Sequence, residues 1–151
     1  MREGVKDFAA AAERIFEFNK KIVDTLYDVV PSVKVQIAYY EMYGVPGMKA
    51  FEETLKYAAE KGLIVIADAK RNDIGSTAAC YSKAFLGNTD LNGNALRAFP
   101  ADYLTVNGYL GTDGIQPFAQ DCSERNKGIF VLVKTSNPSS GELQNLLLEN
   151  G

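Results

Sequence analysis

The sequence predicts an α/β protein with a parallel sheet, and three observations lead to this prediction. Apolar segments of strand length alternate with amphipathic segments of helix length. The clearest strand, residues 63–68, reads LIVIAD and is continuously apolar before its last residue, as strands covered on both faces are. Charged or polar residues follow the predicted strands at their carboxyl ends. Such an alternation favours a parallel sheet whose strands are connected by helices.

The predicted helices are segments in which apolar residues recur at helical spacing. Pro31 ends the first of them, because proline cannot continue a helix. Gly62 ends the second, as a glycine in the C-terminal cap commonly does. The predicted helices span residues 7–30, 48–61, 76–86, 115–125 and 142–148.

Four strands lie between these helices, joined by polar or glycine-rich loops. The predicted strands span residues 33–40, 63–68, 103–107 and 129–133. The predicted loops span residues 44–47, 87–93 with a short helical turn after them, 108–114 and 134–141.

The resulting order is α-β-α-β-α-β-α-β-α, and spacing alone does not separate a (β/α)₈ barrel from an open doubly wound sheet. Four strands cannot close such a barrel, which takes about 200 to 250 residues or more. The chain has 151 residues, opens on a helix and stops soon after another begins. We therefore expect a single domain, residues 1–151, that is part of a larger α/β protein.

Composition excludes several classes of function. A net charge of −3 gives no reason to expect a nucleic acid or an anionic membrane as partner. No apolar run approaches the roughly 18 residues of a membrane span. Two cysteines are too few for a disulfide framework or a zinc site, which fits a reducing cytoplasm. The chain has no histidine, so neither a Ser-His-Asp triad nor a histidine base is available.

The candidate site residues follow the second strand, because sites in α/β proteins form at the carboxyl ends of the strands. Asp68 and Lys70 are two positions apart, so an extended backbone directs both to one side. Asp73 lies in the loop beyond, and Lys34 lies on the preceding strand. These four residues can form an alternating array of charges, in which each keeps its neighbours ionised. A structural ion-pair network is the alternative interpretation.

The third and fourth strands also end in polar residues. Asn107 is the last residue of the third, where it could line a pocket or cap a turn. The segment KTSNPSSG follows the fourth and could hydrogen-bond a polar heterocycle or cap a helix. Its Lys134 could form a Schiff base, although a lysine that pairs at the rim is the simpler interpretation.

Four segments, in this order and spacing, resemble a known family: VKVQIAYYE, GLIVIADAKRNDIGSTA, TVNGYLGTDGIQPF and GIFVLVKTSNPSSGELQ. They are similar to the long bacterial branch of orotidine 5'-phosphate decarboxylase. The resemblance implies a (β/α)₈ barrel that converts orotidine 5'-monophosphate to UMP and CO₂ without a cofactor or metal. It also implies a homodimer with active sites at the subunit interface.

The resemblance further implies roles for particular residues. Asp68 presses its charge against the substrate carboxylate, Lys70 donates a proton to C6, and Lys34 holds the array and reaches the ribose. Asp73 and Thr77 contribute to the partner's site. The pyrimidine is contacted by Ser136, and the pocket is lined by Asn107.

Parts of the family's site have no counterpart in this sequence. The family's first strand supplies a further aspartate, and its last strands supply the phosphate grip. We therefore expect the chain to be inactive on its own. Two other hypotheses stay open: a Schiff-base aldolase that uses Lys134 or Lys70, and an inactive partial barrel that acts as an interaction module.

Overall fold

A computed structural model describes residues 5–147, and it contains helices, a main sheet and a small hairpin. The helices are α1 (Phe8–Leu26), α2 (Ala38–Glu41), α3 (Gly44–Glu60), α4 (Gly75–Phe85), α5 (Thr112–Arg125) and α6 (Gly141–Gln144), with a 3₁₀ turn at Pro138–Ser140. The strands are β1 (Ser32–Gln36), β2 (Ile64–Arg71), β3 (Thr89–Leu91), β4 (Asn94–Leu96), β5 (Tyr103–Asn107) and β6 (Gly128–Leu132). Over residues 5–147, none of the helices has the length and apolarity that a membrane crossing requires.

The main sheet has the order β1-β2-β5-β6, and all of its strands run parallel. Gln36 pairs with Asp68, and Asn107 pairs with Leu132, so the carboxyl ends of neighbouring strands lie side by side. This arrangement confirms the predicted parallel sheet. It also places the polar residues that follow the strands along one edge of the sheet.

The hydrophobic core lies between the sheet and the helices α3, α4 and α5. Its largest fully buried side chains include Phe51, Leu55, Leu104 and Phe118. Burial of each such side chain contributes roughly 1.5 to 3 kcal/mol. The core therefore fixes β2 and β5, the two central strands of the sheet.

The first strand is shorter than predicted, because the chain turns into α2 directly after β1. Ile37 donates its backbone N–H to Asp68 O at 3.2 Å. Tyr40 packs edge-to-face on Phe51 and accepts a hydrogen bond from Asn19 at its hydroxyl. The apolar run at residues 37–40 is therefore a core-facing helix turn, which apolar character alone does not distinguish from a strand.

The helix α3 begins four residues earlier than predicted, at Gly44. Pro46 lies in its first turn. Proline has no backbone N–H, and in the first turn of a helix that group has no partner within the helix, so no helical hydrogen bond is lost. A Cβ atom at Gly47 would lie 1.9 Å from the carbonyl oxygen of Tyr40. Glycine is therefore required where α3 packs against α2.

The predicted loop at residues 87–93 was wrong, because part of it forms a β-hairpin. Asn92 and Gly93 connect β3 to β4 with backbone φ values of 56° and 85°. Two such residues form the turn type that suits the twist of a two-residue hairpin. The last predicted helix is also shorter: α6 covers Gly141–Gln144, and Leu148 lies outside the described residues.

Candidate active site

An irregularity in β2 shapes the candidate site. The pairing of β2 with β5 is regular up to Ala67 and resumes at Arg71, yet on β5 only Thr105 separates the two partner positions. Three residues of β2 therefore lie opposite one residue of β5. Within this bulge Lys70 has a left-handed backbone, with φ of 46°. Bulges redirect the side chains they carry, and they are frequent next to active sites.

Four side chains meet at the bulge: Lys34, Asp68, Lys70 and Thr105, which we call the Asp68 cluster. Lys34 Nζ lies 2.8 Å from Asp68 Oδ2, and Lys70 Nζ lies 2.5 Å from Asp68 Oδ1. Thr105 donates its hydroxyl hydrogen to Asp68 Oδ1 at 2.9 Å. The structure thus places Asp68 in contact with both lysines. The local cause is the bulge rather than a regular extended strand.

Asp68 is ionised although its side chain is only 5% exposed. Burial by itself raises the pKa of a carboxyl group. The hydrogen bonds from Lys34, Lys70 and Thr105 outweigh burial and lower the pKa of Asp68 to about 2. Both lysine side chains are about half exposed. The cluster thus holds one fixed negative charge beside two ammonium groups that a ligand can reach.

Among the described residues, Asp73 and Thr77 form no hydrogen bond or ion pair with the Asp68 cluster. Asp73 accepts a hydrogen bond at Oδ1 from the backbone N–H of Ile74 at 2.8 Å. Within residues 5–147, none of the ion pairs includes Asp73. Thr77 is exposed on α4. In a single chain, Lys34, Asp68 and Lys70 therefore lie together. The fourth predicted charge, Asp73, lies just before the exposed first turn of α4.

Asn107 is the last residue of β5, and Ser136 lies beyond the carboxyl end of β6. Asn107 accepts a hydrogen bond at Oδ1 from the N–H of Tyr109 at 2.8 Å, as a residue that shapes a turn does. Ser136 is exposed in the loop after β6. In the same loop Lys134 donates a hydrogen bond to the side chain of Asn145.

Thr105 is not among the site residues predicted from the sequence. Its hydroxyl both accepts from Lys70 N and donates to Asp68, yet in YLTVN it reads as an ordinary β-branched strand residue. Its role depends on the register of β2 against β5, which one strand's pattern does not reveal. A threonine on the strand next to a charged motif is the signal that could have identified it.

A cleft of about 560 Å³ lies beside β1, bounded by α1, α2 and β1. Most of its walls are apolar side chains, including Ile15, Ile22 and Val35. Of the predicted site residues, Lys34 alone lines it. Lys34 thus connects the Asp68 cluster to an open apolar cleft along the edge of the sheet.

Comparisons with known proteins agree with this geometry. The family model described as orotidine 5'-phosphate decarboxylase / HUMPS family matches residues 10–150. The orotidine 5'-phosphate decarboxylase of Caldicellulosiruptor saccharolyticus is 48% identical over 136 residues, which cover 90% of this chain and 45% of the relative. That of Clostridium acetobutylicum is 44% identical over 150 residues, which cover 99% of this chain and 49% of the relative. The chain therefore spans about half the length of these curated relatives.

Solved structures show the same correspondence. A Streptomyces avermitilis protein assigned as an orotidine 5'-phosphate decarboxylase matches with a TM-score of 0.82 and 36% identity, over 96% of this chain and 47% of that one. The Leishmania donovani OMP decarboxylase matches with a TM-score of 0.72 and 30% identity, over 97% of this chain and 52% of that one. The four parallel strands are thus part of a (β/α)₈ barrel, as predicted, and the chain belongs to the orotidine 5'-phosphate decarboxylase / HUMPS family.

Proposed function

We propose that this chain provides the lysine–aspartate part of an active site that decarboxylates orotidine 5'-monophosphate to UMP and CO₂. The observation that carries the proposal is the Asp68 cluster: a buried, ionised carboxylate held between two lysines at the carboxyl end of β2. Family membership supports this choice of reaction.

In the proposed reaction Asp68 lies against the carboxylate of the substrate, and its charge disfavours the bound ground state. Loss of CO₂ breaks the bond to C6 and leaves the electron pair on that carbon. The ammonium group of Lys70 stabilises this developing charge and then donates a proton to C6. Fixed charges of this kind lower a barrier because they need no reorganisation during the reaction. Lys34 orients Asp68 through their 2.8 Å contact and reaches the ribose side.

We further propose that a second copy of the chain completes the site. Asp73 and Thr77 would contribute to the partner's site, which is consistent with their forming no hydrogen bond or ion pair with the Asp68 cluster within residues 5–147. Ser136 would contact the pyrimidine and Asn107 would line the pocket, since Asn107 ends β5, the neighbour of β2, and Ser136 follows β6, the next strand of the sheet. A cytoplasmic location stays a prediction.

A chimera tests the proposed function. The 150 matched residues of this chain replace the corresponding half of the Clostridium acetobutylicum relative, which supplies the remainder of the barrel. We expect the chimera to convert orotidine 5'-monophosphate to UMP. Lys70→Ala should abolish turnover while substrate binding stays measurable, and Lys49→Ala, on the exposed surface of α3, should leave turnover unchanged. Full turnover by the Lys70→Ala chimera would refute the role of Lys70.

Two positions test the dimeric site. Chimeras that carry Lys70→Ala or Asp73→Asn should each be inactive, because each lacks one contribution to every site. Mixing the two should restore activity, since one site of a mixed dimer then receives an intact Lys70 and the partner's intact Asp73. Mixtures that stay inactive, although the subunits exchange, would contradict the contribution of Asp73 across the interface.

A further inference from the structure

We propose that Thr105 is a positioning residue that fixes the geometry of both Asp68 and Lys70 through its single hydroxyl group. The inference rests on the proposed function in one respect: it assigns the hydroxyl a purpose in the decarboxylase site. Its structural content stands on the contacts of the β2 bulge alone.

The hydroxyl of Thr105 accepts one hydrogen bond and donates another. Its oxygen accepts from the backbone N–H of Lys70 at 2.9 Å. Its hydrogen is donated to Asp68 Oδ1 at 2.9 Å. Thr105 is only 9% exposed, so water does not readily substitute for either partner. One hydroxyl can donate once and accept twice, and here it serves both purposes at the same time.

The bond to Lys70 replaces a bond of the strand ladder. In a regular parallel pair the N–H at this position would find a backbone carbonyl on the neighbouring strand. The bulge places Thr105 opposite three residues of β2, so its side chain takes the place of that carbonyl. Lys70 has a φ of 46°, a conformation that a residue with a side chain adopts only at a cost. The hydrogen bond from its N–H to Thr105 stabilises this conformation.

The hydrogen bond from Thr105 to Asp68 fixes the orientation of the Asp68 carboxylate. Lys70 and Thr105 both contact Oδ1 of Asp68, whereas Lys34 contacts Oδ2. The carboxylate is therefore held from both sides and cannot rotate without breaking a bond. Because the same hydroxyl also holds the backbone of Lys70, it sets the distance between the negative charge and the proton donor.

Two pairs of variants test the proposal on the whole chain, and within each pair the hydroxyl group is the essential difference. Thr105→Val is compared with the wild type, and Thr105→Ala is compared with Thr105→Ser. Carbon-13 NMR of labelled aspartate follows the titration of Asp68, and amide hydrogen exchange follows the N–H of Lys70. Both measurements are made on folded protein and need no turnover.

We expect the valine and alanine variants to raise the pKa of Asp68 and to speed exchange of the Lys70 amide about tenfold, the effect of losing one hydrogen bond. The serine variant should resemble the wild type. An unchanged pKa and unchanged exchange in both oxygen-free variants would overturn the proposal. So would a serine variant that behaves as alanine does, because packing of the methyl group would then be the cause.

The two proposals fail in distinguishable ways. An inactive chimera with Thr105 intact would count against the decarboxylase and leave the NMR result standing. An active chimera combined with unaltered NMR behaviour in the oxygen-free variants would count against Thr105 alone.

Discussion

Lys34 and Asp68 form a 2.8 Å ion pair although they are not opposite each other in the sheet. Lys34 is in register with Ile66, and Asp68 is in register with Gln36. The lysine side chain therefore extends along the strand direction by two residues to reach the carboxylate. This diagonal contact places the ammonium group of Lys34 near the carboxyl end of β1, although the backbone of Lys34 lies in the middle of that strand.

Asp68 should make the stability of the chain depend on pH. Its pKa is lowered from 3.8 to about 2, so its contribution is fully present above pH 3.8 and is lost as the pH falls through 2. The size of this shift corresponds to about 2 kcal/mol. In urea unfolding followed by circular dichroism, Asp68→Asn should be about 2 kcal/mol less stable than the wild type at neutral pH. The difference should shrink as the pH approaches 2.

Asp28→Asn is the matched control, because Asp28 is an exposed carboxylate. That variant should follow the wild type over the whole pH range. A gap between Asp68→Asn and the wild type that stays constant from neutral pH to pH 2 would contradict the pH assignment.

Asp102 should stabilise the opposite end of the sheet. It accepts at Oδ2 from the N–H of Val65 at 2.9 Å and at Oδ1 from Lys127 Nζ at 2.7 Å. Asp102→Ala leaves the N–H of the fully buried Val65 without its acceptor, which costs roughly 1 to 3 kcal/mol of unfolding free energy. Asp102→Asn keeps a carbonyl oxygen and should lose less. Equal stability of the two variants in urea unfolding would show that the Val65 bond is unimportant.

Gly47→Ala should destabilise the chain although alanine favours helices. The helix preference of alanine would contribute about 1 kcal/mol of stability. The added Cβ, however, would lie 1.9 Å from the backbone oxygen of Tyr40, and such crowding costs about 3 kcal/mol. Thermal unfolding should therefore show a lower Tm. Val45→Ala, at a position that is 84% exposed on the same helix, should leave the Tm nearly unchanged.

Borohydride treatment with a carbonyl compound should give no specific adduct at Lys70 or Lys134. A Schiff-base lysine attacks through a free amine, whereas Lys70 is engaged with Asp68 and Lys134 with Asn145. Peptide mass mapping would locate any adduct, with the exposed Lys49 as the measure of background reaction. Selective labelling of Lys70 or Lys134 above that background would favour the aldolase alternative.

The sheet could be predicted from sequence because its signal is local. A continuously apolar β-branched segment such as LIVIAD has few alternatives, and charged residues at its end mark the functional edge. The predicted ends of the helices and strands were wrong where one residue pattern fits two structures. Residues 37–40 are apolar whether they continue β1 or turn into α2, and only the pocket for Tyr40 decides between them.

The parts of the site that escaped prediction depend on pairing between strands. The bulge that brings Lys70 to Asp68, and Thr105 to both, is a property of β2 and β5 together. The hairpin is different, since its Asn92-Gly93 signal was present and was outweighed by the polar character of the segment. The contacts of Asp73 could not be obtained from one chain, because their proposed partners belong to another.

The order of strands in the main sheet has a consequence for synthesis on the ribosome. The order β1-β2-β5-β6 follows the order along the chain, so each new strand pairs with a neighbour that has already been made. No strand of this sheet has to wait for a later one before it can find its place. The growing chain can therefore add one strand and one helix at a time. Lys34 and Asp68 can meet once β2 has paired with β1, whereas Lys70 takes its place only when β5 has emerged and formed the bulge.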